Sequence, residues 1–247
     1  MTARLFLVPP SALGSGQPGD TVVVAGPEGR HAATVVRLSA GERVLLGDGV
    51  GRQALAEVVA SDRHTVTARV LDLRTEPAPA TRFVLVQALA KAGRDEQAVE
   101  AATELGVDQV VPWQAARSVV SWRGERAVRG RARWQAIVAA ATKQSRRFYL
   151  PEVSALAGQA DVEVLLRGAT LGLVLAPQAG MPLGSVALPA AGSVVVVVGP
   201  EGGLEAGELA GPVAAGGMPV RLGREVLRAS TAGPAALAVL LARSRWT

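Results

Sequence analysis

The chain has 247 residues, of which 49% are hydrophobic and 19% charged, as is typical of a globular protein with one large or two small domains. It contains no cysteine and only two histidines, which excludes disulfides, thiol nucleophiles and thiolate metal sites and argues against a histidine-rich metal centre. No apolar run approaches the roughly 18 residues that span a bilayer, and the apolar stretch near the N-terminus is too short for a signal peptide, so we expect a cytoplasmic protein.

Positive charge is concentrated in residues 115–150, although the whole chain carries a net charge of only +5. This segment holds nine basic residues and a single acid, Glu125. Solvated helix faces usually mix charges of both signs, so such a segment favours binding to a polyanion. We therefore expect it to contact a phosphate backbone.

The first part of the chain, residues 1–74, predicts a small β-barrel. Its β-branched or alternating patterns predict strands over residues 4–8, 21–24, 43–47, 53–59 and 65–71. One helix, over residues 28–38, interrupts them. Residues 75–81 are rich in proline and alanine, which suits a linker between two domains.

From residue 82 onwards, strands alternate with helices, which predicts a parallel sheet with helices on both faces. We expect strands over residues 82–88, 109–113, 151–153, 170–175 and 193–198, and helices over residues 94–105, 128–145, 161–167, 204–215 and 237–245. Pro212 predicts a kink or an early end in the fourth of these helices. The five valines of residues 194–198 predict a strand that is buried on both faces.

Two glycine-marked segments lie near the C-terminus. The first, residues 199–204, directly follows the valine strand, and the second spans residues 222–232. The turn after a parallel strand lies at the carboxyl edge of the sheet, where open α/β folds bind their ligands. Glycine allows a ligand to approach the backbone closely. The two segments therefore predict a small-molecule site built mainly from backbone, and their spacing does not match the G-x-G-x-x-G pattern of dinucleotide-binding oxidoreductases.

These segments together resemble the ribosomal RNA small subunit methyltransferase E family, which belongs to the knotted SPOUT methyltransferases. The resemblance covers essentially the whole chain, and its order and spacing are more specific than any single motif. The matching residues are Arg4-Leu5-Phe6, the His31 helix with Val36-Arg37-Leu38, Gly47-Asp48-Gly49, Lys91, residues 102–107, Arg117-Ser118, Arg133-Trp134, Gln144-Ser145 with Arg147 and Pro151, and the two glycine-marked segments.

The resemblance implies both a fold and a reaction. The fold is α/β, with a PUA-like RNA-binding β-barrel over residues 1–74, a linker over 75–81 and a SPOUT domain over 82–247 whose C-terminal segment threads a trefoil knot. The reaction is methyl transfer from S-adenosyl-L-methionine to N3 of one uridine in 16S rRNA, near the decoding site of the small ribosomal subunit. The resemblance further implies a homodimer that prefers the assembled subunit to naked RNA, with no part for a metal or a membrane.

The resemblance also implies the residues of the site. Three loops would hold the cofactor through Ala176, Pro177, Val198, Gly199, Glu201, Gly202, Leu222, Gly223, Val226, Leu227, Ser230, Thr231 and Ala232. Arg228 is expected to contact the target nucleotide, with a salt bridge to Glu201 or Glu225 as the alternative. Glu201 is a candidate base or a helix-dipole partner, and Ser230 and Thr231 either touch the cofactor or cap the last helix. The expected RNA contacts are Arg4, Arg30, Arg37, Arg52, Lys143, Arg146 and Arg147.

Three positions depart from the family pattern. Ser230 stands where an acid is common, Lys143 where an acid often precedes Gln-Ser, and Arg146 where a glycine often follows it. The changes at Lys143 and Arg146 add positive charge, which suits RNA. The change at Ser230 motivates an alternative function, an RNA-binding ribosome-assembly factor with a weak or vestigial methyltransferase site. A SPOUT methyltransferase with another RNA acceptor is a further alternative, against which the N-terminal barrel argues.

Overall fold

The computed structural model describes residues 3–204 and 206–246, and the chain divides into two compact units. The first unit contains the residues up to Ala78 together with Thr142–Leu150. The second contains Pro79–Ala141 and the chain from Pro151 onwards. No helix in the described part of the chain is long and apolar enough to cross a membrane.

A five-stranded sheet forms the first unit. Its strands are β1 (Arg4–Leu7), β2 (Thr21–Val24), β3 (Arg43–Gly47), β4 (Arg52–Ser61) and β5 (Val66–Thr75), in the order β1-β3-β4-β5-β2. β1 pairs in parallel with β3, and the other neighbouring pairs are antiparallel. Alternate residues such as Val44 and Leu46 of β3 and Val66, Ala68 and Val70 of β5 are buried in one apolar core. All five predicted strands are present.

The helix predicted over residues 28–38 is present, but it begins and ends two residues earlier and is less regular than expected. α1 (Gly26–Arg30) continues into a π-helical turn (His31–Val36), which ends where Arg37 adopts a left-handed conformation with φ of 60°. A Cβ atom at Gly29 would overlap the carbonyl oxygens of Val24 and His64. The segment thus packs through backbone contact at Gly29 and through the buried Ala32, with Ala33 and Val36 packed against the same core.

A seven-stranded sheet, parallel throughout, forms the second unit. Its strands are β6 (Thr81–Ala88), β7 (Gln109–Trp113), β8 (Glu152–Val153), β9 (Leu171–Leu175), β10 (Met181–Pro182), β11 (Gly192–Val198) and β12 (Gly217–Arg221), in the order β10-β12-β9-β11-β6-β7-β8. The helices that follow them are α2 (Arg94–Leu105), α3 (Glu125–Ser145), α4 (Gln159–Gly168), α5 (Ala206–Ala214) and α6 (Ala229–Ala242).

The valine strand is buried on both faces, as predicted. Residues 194–198 of β11 are each at most 2% exposed. The even-numbered valines lie in the core that contains Leu237 and Leu240 of α6. The odd-numbered valines lie in the core that contains Val162 and Leu166 of α4. The helices therefore cover two faces of the sheet, and the alternating pattern after residue 82 is confirmed.

The strand β12 and the helix α6 differ from the sequence-based predictions. β12 was not predicted because Gly217 and Pro219 are unfavourable inside a strand, yet it pairs with both β9 and β10. α6 begins eight residues before the predicted helix of residues 237–245, although it contains Pro234. Leu237 and Leu240 of this helix are completely buried, so packing outweighs the local cost of the proline.

α5 is shorter than the helix predicted over residues 204–215. Leu204 precedes it, and Glu205 lies outside the described residues. The helix continues for two residues beyond Pro212 and ends at Ala214. The proline therefore lies in the last turn of the helix, close to the early end that the sequence predicted.

Trp122 packs directly against α3 at Gly130. A Cβ atom at Gly130 would overlap the indole ring of Trp122. The same ring makes an edge-to-face contact with the buried Trp134, with the ring centres 5.5 Å apart. The glycine therefore makes room for an aromatic pair that covers the apolar side of the helix.

We expect Gly130→Ala to lower the melting temperature by about 2–4 °C. In an open helix the change would stabilise the protein by about 1 kcal/mol, but here the added methyl group displaces Trp122, and overpacking costs about 1–3 kcal/mol. Thermal unfolding with near-ultraviolet circular dichroism measures both the stability and the aromatic pair. The control is Gly168→Ala at the end of α4, where an added Cβ meets no atom within 4 Å. A Gly130→Ala protein as stable as the wild type, with unchanged aromatic signals, would contradict this packing.

A buried carboxylate fixes the loop that leads from β6 into α2. Asp95 is 5% exposed, and burial raises the pKa of its carboxyl group above the ordinary value. Backbone hydrogen bonds from Ala90 and Glu96 act in the opposite direction and keep the pKa from rising further. The bond from the Glu96 N–H to Asp95 Oδ1 measures 3.0 Å. Asp95 thus ties the residues before α2 to the start of that helix.

Asp95→Asn is expected to change how stability depends on pH. A carboxyl group whose pKa is raised by folding binds its proton more tightly in the folded state, so the wild type loses stability as pH rises from about 3.9 through that raised value. Asparagine keeps one acceptor oxygen and does not ionise. The melting temperature of the variant minus that of the wild type should therefore increase with pH over this window and then level off. A difference that stays constant with pH would refute the assignment.

Candidate functional site

A cavity of about 430 Å³ opens at the carboxyl edge of the parallel sheet in the second unit. Its walls come from the loops after three neighbouring strands, β9, β11 and β12, and from the first turn of α6. The lining residues are Arg94, residues 175–178, residues 198–204 except Gly202, residues 220–229 except Arg224, and Ala232. Its volume lies within the roughly 300–1,000 Å³ that is usual for small-molecule sites.

Most of the residues predicted to hold a cofactor line this cavity. They are Ala176, Pro177, Val198, Gly199, Glu201, Leu222, Gly223, Val226, Leu227 and Ala232. Arg228, predicted to contact the target nucleotide, lines it as well. Residues from three distant segments are therefore brought together at one edge of the sheet.

Three of the predicted residues, Gly202, Ser230 and Thr231, are not among the lining residues. The carbonyl of Gly202 accepts a hydrogen bond from Arg117 Nη1 at 3.1 Å. The N-cap of α6 is Arg228, and no side chain caps this helix. Ser230 and Thr231 lie inside its first turn, so the prediction that they cap the last helix is wrong, because that helix begins earlier than its sequence pattern indicated.

The loop after β11 is a tight turn that depends on glycine. The N–H of Gly203 donates to the carbonyl of Pro200 at 2.9 Å, and Gly203 has φ of 73°. A Cβ atom at Gly199 would lie 2.7 Å from Leu204 Cδ2. The absence of side chains at these two positions therefore allows the turn to fold back on itself beside the cavity.

Glu201 is held by two donors from the segment before and at the start of α2. Its Oε1 accepts from Arg94 Nη1 and from the N–H of Lys91, each at 3.2 Å. The side chains of Arg94 and Glu201 are 28% and 19% exposed, so water screens this salt bridge only in part. Arg94 was not predicted as a site residue, although its position at the start of a helix after a parallel strand was a usable signal.

Arg221 holds the loop after β9. Its Nη1 donates to the carbonyl of Ala179 at 2.8 Å and also to the carbonyl of Gly180. Arg221 was not predicted as a site residue, because Pro219 is unfavourable inside a strand and the strand β12 that carries Arg221 was therefore not predicted. Two arginines, Arg94 and Arg221, thus fix the loops on either side of the cavity.

Arg228 has no ion pair within residues 3–204 and 206–246. Glu201 pairs with Arg94 instead, and the alternative salt bridge from Arg228 to Glu201 or Glu225 is not formed. The carbonyl of Arg228 accepts the N–H groups of Thr231 and Ala232, both at 2.9 Å. The start of α6 therefore fixes its backbone, while its exposed guanidinium group remains available at the cavity.

Among the seven basic residues predicted to bind RNA, three have partners inside the protein. Arg52 Nη2 donates to two loop carbonyls at 3.0 and 3.1 Å, Lys143 Nζ pairs with Glu28 Oε1 at 2.6 Å, and Arg147 also has a partner. The other four are exposed and form no ion pair with any described residue: Arg4, Arg30, Arg37 and Arg146.

The basic segment of residues 115–150 is partly neutralised. Its intramolecular contacts include Arg129 with Glu125, Arg133 with Glu96, Arg131 with the carbonyl of Val153, and Arg117 with that of Gly202. The accessible charge is therefore smaller than the composition of the segment indicated.

Two family models match the chain. A model of an RNA methyltransferase domain matches residues 76–241, and a model of an RNA methyltransferase PUA domain matches residues 24–71. The ribosomal RNA small subunit methyltransferase E of Mycobacterium tuberculosis is 45% identical over 234 residues, which cover 92% of this chain and 89% of that protein. The protein of the same name from Bacillus subtilis is 28% identical over 230 residues and covers 89% of both.

Solved structures show the same fold. The ribosomal RNA small subunit methyltransferase E of Neisseria gonorrhoeae, bound to S-adenosyl methionine, has a TM-score of 0.86 at 28% identity and covers 98% of both chains. A putative methyltransferase of Legionella pneumophila, in complex with the bound cofactor SAM, has a TM-score of 0.85 at 26% identity and covers 99% of both. The expected α/β fold with its N-terminal PUA-like part is confirmed. Identity of 45% over most of the chain and an RNA methyltransferase match over residues 76–241 show that this protein belongs to the ribosomal RNA small subunit methyltransferase E family.

Proposed function

We propose that this protein transfers a methyl group from S-adenosyl-L-methionine to N3 of a uridine in the 16S rRNA of the small ribosomal subunit. The observation that carries the proposal is the cavity of about 430 Å³ at the carboxyl edge of the sheet, where three loops and the first turn of α6 meet. Two solved relatives are described with this cofactor bound, and the curated relatives are named for small-subunit rRNA.

The residues of the cavity suit this cofactor. Gly199 and Gly223 let backbone N–H and C=O groups approach an adenine ring closely. The carboxylate of Glu225 lines the same cavity and complements the positive charge of a sulfonium group, whereas that of Glu201 is already paired with Arg94. When bound, the cofactor supplies an electrophilic methyl group for in-line displacement. We assign its binding to the ten predicted residues that line the cavity, and we assign support of the loops to Gly202, Ser230 and Thr231.

Arg228 is the residue to which we assign the target nucleotide. Its unpaired guanidinium group at the cavity suits contact with a phosphate or a uracil carbonyl. A cation beside the uracil also favours the anion that forms when N3 loses its proton. Because Glu201 is tied to Arg94 and to the backbone of Lys91, it is better suited to holding the loop than to accepting that proton.

The remaining expectations follow from membership in the family. We propose that Arg4, Arg30, Arg37 and Arg146 position the rRNA through its phosphates, which does not require reading of its sequence, with Arg52, Lys143 and Arg147 in supporting positions. We also propose domains over residues 1–74 and 82–247 joined by a linker, except that residues 142–150 belong to the first compact unit. We further propose a trefoil knot in the C-terminal part, a homodimer, and action in the cytoplasm on assembled small subunits.

Ala232→Leu should weaken binding of S-adenosylmethionine by about tenfold or more without lowering the melting temperature. Ala232 lies on α6 and lines the cavity, so a larger side chain there occupies cavity space at a cost of about 1–3 kcal/mol to binding, where 1.4 kcal/mol is a factor of ten. Isothermal titration calorimetry measures the dissociation constant. Ala210→Leu makes the same change at an exposed position of α5 outside the cavity and should leave binding unchanged. Equal affinities for the two variants would place the cofactor elsewhere.

Methyl transfer itself is tested with labelled S-adenosylmethionine and purified small subunits that lack the modification, followed by mass spectrometry of the nucleosides. We expect 3-methyluridine on small subunits and none on large subunits or tRNA. Free 16S rRNA shows whether the assembled subunit is required. Transfer to another RNA would support a different acceptor. An absence of cofactor binding as well as of transfer would support the assembly-factor alternative.

A further inference from the structure

A second cavity, of about 240 Å³, lies within the first unit. The buried side chains of Leu5 and Phe6 in β1 line it, together with the exposed residues Arg4, His31 and Arg146. Its volume is below the roughly 300–1,000 Å³ that holds a whole small-molecule ligand. Its size therefore suits one part of a larger ligand, such as a single nucleotide of a chain.

The exposed side of this cavity carries uncompensated positive charge. Lys143 also lines it, but its ammonium group is neutralised by Glu28 at 2.6 Å. The guanidinium groups of Arg4 and Arg146 form no ion pair with any residue that the structure describes. Planar guanidinium groups bind phosphate oxygens through paired hydrogen bonds. The free charge of the cavity thus suits a phosphate group.

An aromatic surface lies beside this charge. The exposed ring of His31 is centred 6.4 Å from the ring of Phe6, and the two planes are inclined by 53°. Phe6 is almost completely buried in the core of the unit and supports the imidazole. Unstacked RNA bases bind to proteins by stacking on exposed rings of this kind.

The backbone holds Arg146 in a conformation that favours glycine. Arg146 is the first residue after α3 and has φ of 56°. Gln53, a buried residue of β4, donates from Nε2 to the carbonyls of Arg146 and Arg147 at 3.0 and 2.9 Å. Hydrogen bonds from Gln53 therefore fix the backbone that carries Arg146 at the cavity. Glycine would adopt this left-handed conformation at a lower free-energy cost than arginine.

We propose that this cavity binds one unstacked nucleotide of the RNA substrate, with its base stacked on His31 and its phosphate held by Arg4 and Arg146. The inference rests on the proposed function, because it specifies how the first unit holds the RNA. The bound nucleotide is a second anchored position, distinct from the target uridine that we assign to Arg228. Recognition by stacking and by phosphate contact accepts any base.

Arg146→Gly removes the proposed phosphate contact and is not expected to lower the stability of the protein. We expect about tenfold weaker binding to a fluorescein-labelled single-stranded oligouridylate, measured by fluorescence anisotropy with the intact chain. The slope of the logarithm of the binding constant against the logarithm of the salt concentration should become shallower by about 0.7. The melting temperature should equal or exceed that of the wild type, because glycine relieves the left-handed backbone. Wild-type affinity in this variant would overturn the phosphate contact.

Two variants serve as controls for Arg146→Gly. Arg63→Gly removes one exposed charge from the loop between β4 and β5, outside the cavity, and should change the affinity no more than about twofold. Arg37→Gly relieves the same kind of left-handed backbone strain, at a residue with φ of 60°, and serves only as the reference for the change in melting temperature. A loss of affinity in Arg63→Gly as large as in Arg146→Gly would show a diffuse charge effect and would overturn the site.

His31→Ala tests the base contact. We expect about tenfold weaker binding to oligouridylate and no loss on a matched abasic ribose-phosphate strand, since stacking requires the base. His64→Ala changes the other histidine, which is exposed in the same unit and does not line the cavity, and should bind both strands as the wild type does. A loss of equal size on both strands in His31→Ala, or no loss on either, would overturn the stacking assignment.

Methyl transfer by the wild type is measured separately, so that the two proposals can fail independently. If the wild type methylates small subunits while both cavity variants bind oligouridylate normally, the nucleotide site is wrong and the proposed reaction stands. If the variants lose affinity as expected while no RNA is methylated, the nucleotide site stands and the proposed reaction fails.

Discussion

The parallel pairing of β12, β9, β11 and β6 is the constraint on which the candidate cofactor site depends. Parallel strands end at one edge of a sheet, so the loops after Leu175, Val198 and Arg221 meet there although they are far apart in sequence. β11 lies between β9 and β6 and is buried on both faces. The position of the glycine turn after β11 is therefore fixed, because any movement of the strand would disturb two apolar cores at once.

Arginine contacts turn these loops into a defined cavity. Arg94 holds the loop after β11 through Glu201, and Arg221 holds the loop after β9 through backbone carbonyls. Arg228 differs from both, because the start of α6 fixes its backbone while its guanidinium group has no ion-pair partner in the described part of the chain. A cavity whose loops are already fixed loses less entropy when a ligand binds. We propose that the unpaired Arg228 contacts the second substrate.

Elements with strong local sequence patterns were predicted, whereas features that depend on contacts between distant residues were not. The valine strand and the turn at Gly199 have strong local signals, and the structure contains both. β12 and the start of α6 were not predicted, because Pro219 and Pro234 disfavour a strand and a helix locally. Burial of neighbours such as Val220 and Leu237 outweighs that local preference in the folded protein. Arg94 contacts Glu201 across 107 residues, and no pattern in a short window could have revealed that pair.

The composition of the sequence shows where the basic residues are concentrated, but ion pairs within the protein determine how many of them are free to contact RNA. An arginine that already binds a carboxylate releases fewer counterions on binding RNA than a free one, so it contributes less to affinity. Arg129 and Arg133 of the basic segment are paired in this way. In the first unit, two exposed arginines without ion-pair partners among the described residues, Arg37 and Arg146, lie at turns with positive φ, where a side chain extends from backbone that leaves the regular element. Arg4 in β1 and Arg30 in α1 are exposed and form no ion pair with a described residue either, so accessible charge in this unit depends on which arginines are paired within the protein more than on the number of basic residues.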